Sequence, residues 1–219
     1  MTPTQRNQGT APRPDDRLTA YFANAALACF AVFALGVALM HLLRSDLDVS
    51  VHRISAYSTG PWGGLMTTAL AGASLGCLML ALGLARNCSG SAFAWLAAVM
   101  FAVASMAFAA TAAYPTEVAD IPTMASGDIR NICFVVNIAS IVVAALLTGS
   151  IALRDARWRQ HRVPAALLAL LLLLAVVVQF RALHLGLPHG IPNRFVVAIM
   201  MIWLVVTAMR LRRLGRPGE

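Results

Sequence analysis

Residues 163–183, VPAALLALLLLLAVVVQFRAL, form a 21-residue stretch in which Gln179 and Arg181 are the only polar side chains. A helix needs about 20 apolar residues to cross the hydrocarbon core of a bilayer, so this stretch predicts a membrane-spanning helix. The last of six such spans is completed by arginines, whose long side chains can reach the membrane surface. The predicted spans are 21–43, 65–85, 92–113, 132–153, 163–183 and 195–213.

The composition agrees with a membrane protein and excludes a soluble domain of any size. The chain is 59% hydrophobic and 12% charged, whereas an ordinary soluble domain is about 25% charged. Six crossings use roughly 120 residues and leave only tails and short connections. We therefore predict an all-α integral membrane protein, with a bundle of six transmembrane helices over residues 20–213. Residues 1–19 and 214–219 are predicted to be tails, and the first tail, rich in proline, glutamine and threonine, to be disordered.

The arginines predict the orientation of the bundle. All seventeen basic residues are arginines, and twelve of them fall on the side that carries both termini. Because cytoplasmic loops carry an excess of positive charge, both tails are predicted to be cytoplasmic. The same pattern accounts for the net charge of +8 without nucleic acid as a partner, and membrane lipids are the expected partners. The opposite side holds Arg44, Arg53, Arg130, Arg181 and Arg194.

Polar side chains concentrate on the side predicted to face outward. Loops 43–61, 114–131 and 184–194 lie there, and the inner halves of the spans carry no Asp, Glu or His and no Arg before the arginines that complete the sixth span. The three loops are therefore predicted to form an outward-facing polar cup. They contain five of the nine acidic residues, namely Asp46, Asp48, Glu117, Asp120 and Asp128.

Three segments carry a family resemblance. They are LRSDLDVSVHRISAYSTGPWGGLMT (43–67), AYPTE (113–117) and GIPNRFVVAIMMIWL (190–204). These segments resemble recurrent segments of the membrane protein family known as DUF998. The resemblance implies a six-helix bacterial or archaeal membrane protein of no settled activity, and we expect a multi-pass protein of a bacterial plasma membrane. Family members commonly carry Glu where this chain has Ala56, and often His where it has Arg130, which disfavours any mechanism that needs either side chain.

One interpretation of the first outward loop is an active site. In DLDVSVHRIS, residues 46–55, Asp46 and Asp48 are candidate metal ligands or general bases, His52 a candidate base and Ser55 a candidate nucleophile. Paired carboxylates with an imidazole suit a divalent metal, whose bound water could attack an ester. The alternative function is then a metal-dependent lipid hydrolase or remodelling enzyme. The pattern is short, so we predict no metal site and no cofactor from it.

A second interpretation is recognition of an outer-leaflet lipid or glycolipid headgroup. A guanidinium group presents a planar fork of donors to phosphate or carboxylate. The pairs His41/Arg44 and Arg181/His184 are three residues apart, so each pair shares a helix face. The candidate headgroup-binding residues are His41, Arg44, Arg53, Tyr57, Asn137, Arg181, His184 and Arg194.

A third interpretation makes the cup a structural lid, in which arginines and acids near the bilayer surface pair with each other. It predicts that Arg181 points into the bundle and pairs with Asp46 or Asp48, with Asp128 as the alternative partner. A transporter, or an accessory subunit of a membrane complex, also stays open. The sequence identifies no protein partner and does not decide whether the chain is an enzyme.

Overall fold

The computed structural model describes residues 14–87, 91–114 and 124–216, with side chains from residue 17 in the first segment and from residue 129 in the third. These residues form six α-helices and two short 3₁₀ helices, Ile54–Ser58 and Ala156–His161, and no strand. All six α-helices are long and apolar enough to cross a membrane, which confirms the predicted fold class. They are α1 (Pro14–Leu43), α2 (Gly63–Asn87), α3 (Ala92–Ala113), α4 (Met124–Arg154), α5 (Arg162–His184) and α6 (Gly190–Leu214).

The helices form a closed ring, in which each helix packs against its neighbours in sequence and α6 returns to α1. Residues 44–62 between α1 and α2 are called the first loop, and the end of the bundle that carries them is the first-loop end. The connection 185–189 lies at that end too. The opposite, terminal end carries the connection 155–161, the start of α1 and the end of α6. The α4–α5 contact is the sparsest between sequential helices, and α5 leaves most of its leucines exposed, as a lipid-facing helix does.

Glycines bring α1 and α2 into close contact. A Cβ atom added to Gly36 would lie 2.6 Å from the Cβ of Ala69, and one added to Gly76 would lie 2.5 Å from the ring of Phe30. Lipid provides no hydrophobic driving force between helices, so close van der Waals packing at small residues holds them together. The four-residue spacing of Gly72 and Gly76 predicts such an interface, and the prediction is confirmed.

Three helices begin earlier than the hydropathy pattern predicts. α1 begins at Pro14 rather than near residue 20, and a proline followed by two aspartates is a favourable first helical turn. α4 begins at Met124 instead of 132, and α6 at Gly190 instead of 195. Both early segments contain charged and amide side chains, which a hydropathy criterion assigns to loops. These polar helical turns border the site described below.

The sequence TGPWGG, residues 59–64, predicts a turn whose glycines adopt positive φ or pack closely. Gly60 has a φ of 72°, and a Cβ on Gly63 would lie 2.4 Å from the carbonyl oxygen of Ser58. Trp62 also has a positive φ of 65°, which the glycine pattern does not predict. The turn therefore places an exposed indole at the first-loop end.

Candidate functional site

A cavity of about 530 Å³ lies at the first-loop end of the bundle, within the size range of sites for single small ligands. Its lining comes from the first loop, residue 189 and every helix except α5. The exposed and half-exposed part of the lining is mostly polar and forms the mouth: Val51, His52, Arg53, Ser55, Ala56, Thr59, Thr111, Asn131, Phe134, His189 and Val197. Three buried polar residues, Arg130, Asn137 and Asn193, also line it.

The floor of the cavity is apolar and deep. Phe33 lies ten residues from the end of α1 at Leu43, and Met200 lies ten residues from the start of α6 at Gly190. At a rise of about 1.5 Å per residue, both are roughly 15 Å from the first-loop end. Half of the hydrocarbon core of a bilayer is about 15 Å thick, so these residues lie about as far from the helix ends as one leaflet is deep. The buried apolar lining comprises Phe33, Ile54, Met66, Leu70, Phe108, Ile138, Val196 and Met200.

An aromatic pair lies beyond the floor, toward the terminal end. The rings of Phe101 and Trp203 stack with centroids 5.7 Å apart and planes inclined by 17°, and both side chains are fully buried. Trp203 follows Met200 along α6, and Phe101 precedes Phe108 along α3, so each lies deeper than the residue of its helix that lines the floor. The pair therefore lies between the floor of the cavity and the terminal end.

Arg194 on α6 holds the first loop in place. Its guanidinium donates to the carbonyl oxygens of Val49 and His52, both at 2.7 Å. It also donates to the hydroxyl of Tyr57 at 2.8 Å and to Nε2 of His41 at 2.9 Å. Because Nδ1 of His41 lies 2.8 Å from the carbonyl oxygen of Val37, that nitrogen carries the proton and Nε2 accepts. Arg194 thus links α6, the first loop and α1.

Arg44 holds the other end of the first loop. It is buried and donates to both carboxylate oxygens of Asp46, at 2.8 and 2.9 Å. It also donates to the carbonyl oxygens of Thr59 and Pro61, which come just before α2. A bidentate arginine–carboxylate pair fixes orientation as well as distance. Arg44 therefore joins the two ends of the loop to each other.

A third arginine binds the middle of the loop. Arg130 on α4 donates to the carbonyl oxygen of Ser55 and to the hydroxyl of Ser58, the latter at 3.0 Å. On the opposite side, the side-chain oxygen of Asn193 accepts the main-chain N–H of Ile54 at 3.0 Å. Arg44, Arg130 and Arg194 are called the loop-binding arginines below. They hold the loop mainly through main-chain oxygens, and Arg44 with Asp46 is the ion pair that the described residues form at this end of the bundle.

Arg53 is bonded differently from these three. It lines the mouth and is half-buried, and its guanidinium donates to the side-chain oxygen of Asn131 at 3.1 Å. The group also lies 5.8 Å from the centre of the Phe134 ring. Burial lowers the pKa of Arg53, because the charged form loses water. Within the described residues no carboxylate pairs with it.

The candidate catalytic residues do not form one site. His52 and Ser55 line the cavity, whereas Asp46 and Asp48 do not. Hydrogen bonds from Arg44 lower the pKa of Asp46, and hydrogen bonds from the main chain and hydroxyl of Ser50 lower that of Asp48. Nδ1 of His52 lies 3.1 Å from the carbonyl oxygen of Asp48, not from its carboxylate. No group of three metal-ligating side chains occurs in the described part of the chain, so this geometry gives a metal-dependent hydrolase no support.

The candidate headgroup residues separate into three groups. Arg53 and Asn137 line the cavity, and Asn137 also donates to the carbonyl oxygen of Ala104 at 3.2 Å. Four of the others, His41, Arg44, Tyr57 and Arg194, bind one another or the first loop. Arg181 and His184 are exposed at the end of α5 and do not line the cavity.

The prediction that Arg181 points into the bundle and pairs with an aspartate of the first loop is wrong. Arg181 is exposed, Asp46 is bound by Arg44, and Asp48 is bound by Ser50. Asp128, the alternative partner, lies outside the described side chains, as do Glu117 and Asp120 of the second outward loop. Buried arginines do occur at the first-loop end, but they are Arg44 and Arg130.

Six polar cavity residues were not among the candidates: Thr59, Thr111, Arg130, Asn131, His189 and Asn193. Arg130 and Asn131 belong to the polar first turns of α4, and Asn193 to the first turn of α6. A helical register continued from the apolar spans into these turns would place Arg130 one or two turns above Phe134 and Asn137, on one face of α4. That continuation is the signal in the sequence that points to them.

Comparison with known proteins gives one match. The family model DUF998, described as a protein of unknown function, matches residues 27–210. Searches of curated proteins and of solved structures find no match. The matched region includes all six helices in whole or in large part and every residue that lines the cavity, among them Ala56 and Arg130. With the match extending over most of its length, the chain belongs to the DUF998 family.

Proposed function

We propose that this protein binds a lipid molecule from the outer leaflet of the membrane, with the headgroup at the mouth of the cavity and a chain against its floor. The observation that carries this proposal is the change in polarity along the cavity. Polar side chains such as His52, Arg53 and Asn131 lie at the mouth, and apolar ones such as Phe33 and Met200 lie at the floor. A molecule that matches both parts has a polar head and an apolar tail.

The depth of the cavity supports a lipid rather than a water-soluble ligand. One leaflet contributes half of the hydrocarbon core, which is roughly 15 Å. The floor residues Phe33 and Met200 lie at about that depth along α1 and α6, by the rise of an α-helix. A single lipid extends over the same distance, from the headgroup level to the middle of the membrane. A polar solute would leave the apolar floor of the cavity without a partner.

The geometry favours binding over passage through the membrane. Ion-coupled carriers usually place charged groups or broken helices near the middle of the bilayer. Here the corresponding level holds the apolar floor and the stacked rings of Phe101 and Trp203. An accessory role in a larger complex is compatible with lipid binding at this cavity.

The proposal includes an orientation, with the first-loop end outside and both termini in the cytoplasm. The support is the excess of arginine at the terminal end. Ser45 in the first loop and Ala156 in the connection before α5 are exposed and suit replacement by cysteine. In a chain without its four native cysteines, we expect a membrane-impermeant thiol reagent to label Ser45→Cys in intact cells, and Ala156→Cys only after lysis. The reverse pattern would contradict the orientation. Cys88, the native cysteine expected on the cytoplasmic side, lies outside the described residues.

Lipid binding is tested by filling the cavity from α6. Val197 lines the cavity, whereas Ala198 beside it is exposed and does not. We expect the parent protein to retain lipid in a stoichiometric amount after purification in mild detergent. Val197→Trp should reduce the retained lipid several-fold, because the indole occupies cavity space that the lipid would fill. Mass spectrometry of the purified protein measures the ratio of lipid to protein.

Ala198→Trp is the matched control, since it adds the same side chain to the outside of the same helix. It should retain as much lipid as the parent, which shows that added bulk on α6 is harmless in itself. Equal lipid in the parent and in Val197→Trp would place the lipid elsewhere on the protein. A parent protein without retained lipid in several detergents would refute the proposed function.

A further inference from the structure

Arg53 brings a positive charge to the mouth of the cavity, and within the described residues no carboxylate pairs with it. None of the described residues that line the cavity is an aspartate or a glutamate. The carboxylates of Asp46 and Asp48, which precede Arg53 in the first loop, are each bound by another residue outside the lining. A site with this balance of charge attracts an anion.

Arg53 has donors to give to such an anion. Arg44 is engaged with Asp46 and two carbonyl oxygens, and Arg194 with five acceptors. Arg53, by contrast, donates through one nitrogen to the amide of Asn131, and its other N–H groups make no hydrogen bond within the described residues. It is half-buried at the mouth, where a charged group without a counterion is poorly solvated.

The bond from Arg53 to Asn131 is the kind that an anion displaces. An amide oxygen is neutral, and a hydrogen bond to a phosphate or carboxylate oxygen is roughly twice as strong. Asn131 is exposed, so water can take over its amide once Arg53 turns away. The Phe134 ring beside the guanidinium gives the group an apolar surface and keeps it at the mouth.

We infer that the lipid bound in this cavity carries a net negative headgroup, and that Arg53 is the residue that determines this specificity by exchanging Asn131 for an oxygen of the headgroup. The inference rests on the proposed function and names the ligand class for the same cavity. It assigns no headgroup contact to Arg181, which is exposed at the same end of the bundle but outside the cavity.

The test compares two phospholipids with identical chains, phosphatidylglycerol with a net negative charge and phosphatidylcholine with none. Binding of each to the purified protein in neutral detergent is measured by titration and native mass spectrometry. We expect the parent to prefer phosphatidylglycerol about tenfold or more, which corresponds to about 1.4 kcal/mol or more. Both phosphates can accept from Arg53, but the choline ammonium of phosphatidylcholine repels the guanidinium and cancels the charge of the headgroup. Arg53→Gln should bring the two affinities within about twofold of each other, mainly by weakening phosphatidylglycerol.

Three variants separate charge at the cavity from charge at the membrane surface. Arg181→Gln removes the same charge at the same end of the bundle and should leave the preference unchanged. Arg53→Lys should keep part of it, since the charge remains but the planar fork is lost. Asn131→Ala should keep or increase it, because Asn131 competes with the headgroup for Arg53.

The outcomes distinguish this inference from the proposed function. Equal binding of both lipids by the parent would overturn the inference and leave lipid binding intact, and this comparison needs no variant to fold. Binding of neither lipid would overturn both. Glycerol phosphate is the water-soluble control for the anionic headgroup. If it binds as tightly as phosphatidylglycerol, the site binds a free anion and the assignment of a lipid ligand is wrong. An equal loss of preference in Arg181→Gln and Arg53→Gln would also overturn the role of Arg53.

Discussion

Replacement of Arg194 by methionine is expected to release the first loop and to destabilise the protein by about 3 kcal/mol. Methionine keeps much of the length of the side chain but donates no hydrogen bond. The carbonyl oxygens of Val49 and His52, the Tyr57 hydroxyl and Nε2 of His41 would all lose their donor. Each hydrogen bond to a charged group contributes about 1.5–3 kcal/mol, and water at this half-exposed position recovers part of the total.

Arg181→Met provides the matched control for Arg194→Met. Arg181 is exposed near the same end of the bundle and its side chain makes no hydrogen bond within the described residues, so its replacement should change stability by no more than about 0.5 kcal/mol. Denaturant unfolding in mild detergent measures the free energy of unfolding of both variants against the parent. If the two variants are equally stable, the contacts of Arg194 contribute nothing to holding the loop.

Gly190→Ala is expected to have an effect of similar size, about 3 kcal/mol, by a steric route. Gly190 begins α6 directly beneath the first loop and donates its N–H to the carbonyl oxygen of Ser50 at 2.8 Å. An added Cβ would lie 2.4 Å from the carbonyl oxygen of Val49, 2.7 Å from that of Ser50 and 2.8 Å from that of His52. The loop would have to move away, and it would lose both this bond and the geometry of the Arg194 contacts.

The control for Gly190→Ala is a glycine in a first helical turn that has free space. Gly64 in α2 has no atom within 4 Å of an added Cβ. Gly64→Ala should be neutral or slightly stabilising, because alanine has the higher helix propensity. Unfolding in the same detergent compares the variants, and limited proteolysis within residues 44–62 reports loosening of the loop. An intact loop in Gly190→Ala would show that the main chain moves at little cost.

The six spans were predictable because the bilayer leaves the chain few options. Backbone groups in hydrocarbon must bond within their own segment, so an apolar stretch such as 163–183 has to form a helix. The polar beginnings of α4 and α6 were not predictable from hydropathy, since residues such as Arg130 and Asn193 are helical and also line a cavity. Polar residues indicate a loop only where the chain is surrounded by water or lipid headgroups.

The direction in which α5 faces explains the error at Arg181. The sequence gives the depth of a side chain in the membrane, but the rotation of a helix about its axis depends on packing against its neighbours. Gln179 is buried and Arg181 is exposed. At 3.6 residues per turn, two positions two residues apart point in nearly opposite directions, so burial of one exposes the other. Gln179 and Arg181 are both polar, and the sequence offers no means to choose between them.

The acceptors of the loop-binding arginines could not be predicted from the sequence for a different reason. Arginines and aspartates at the first-loop end suggest pairs of opposite charge, and one such pair, Arg44 with Asp46, occurs. The acceptors of Arg194 are largely main-chain oxygens, which every residue carries whatever its side chain. A sequence therefore shows where the donors are, whereas their acceptors depend on the path of the loop.

This way of holding the first loop bears on how the protein can be redesigned. The arginines hold the first loop through the backbone oxygens of Val49, His52, Ser55 and Thr59. The side chains at these four positions can therefore be exchanged while the hydrogen bonds are kept. Three of these four positions also border the cavity. A library that varies residues 52, 55, 56 and 59 but keeps Arg44, Arg130 and Arg194 would change the chemistry of the entrance on a constant scaffold. The same architecture could in this way be adapted to headgroups of different size and charge.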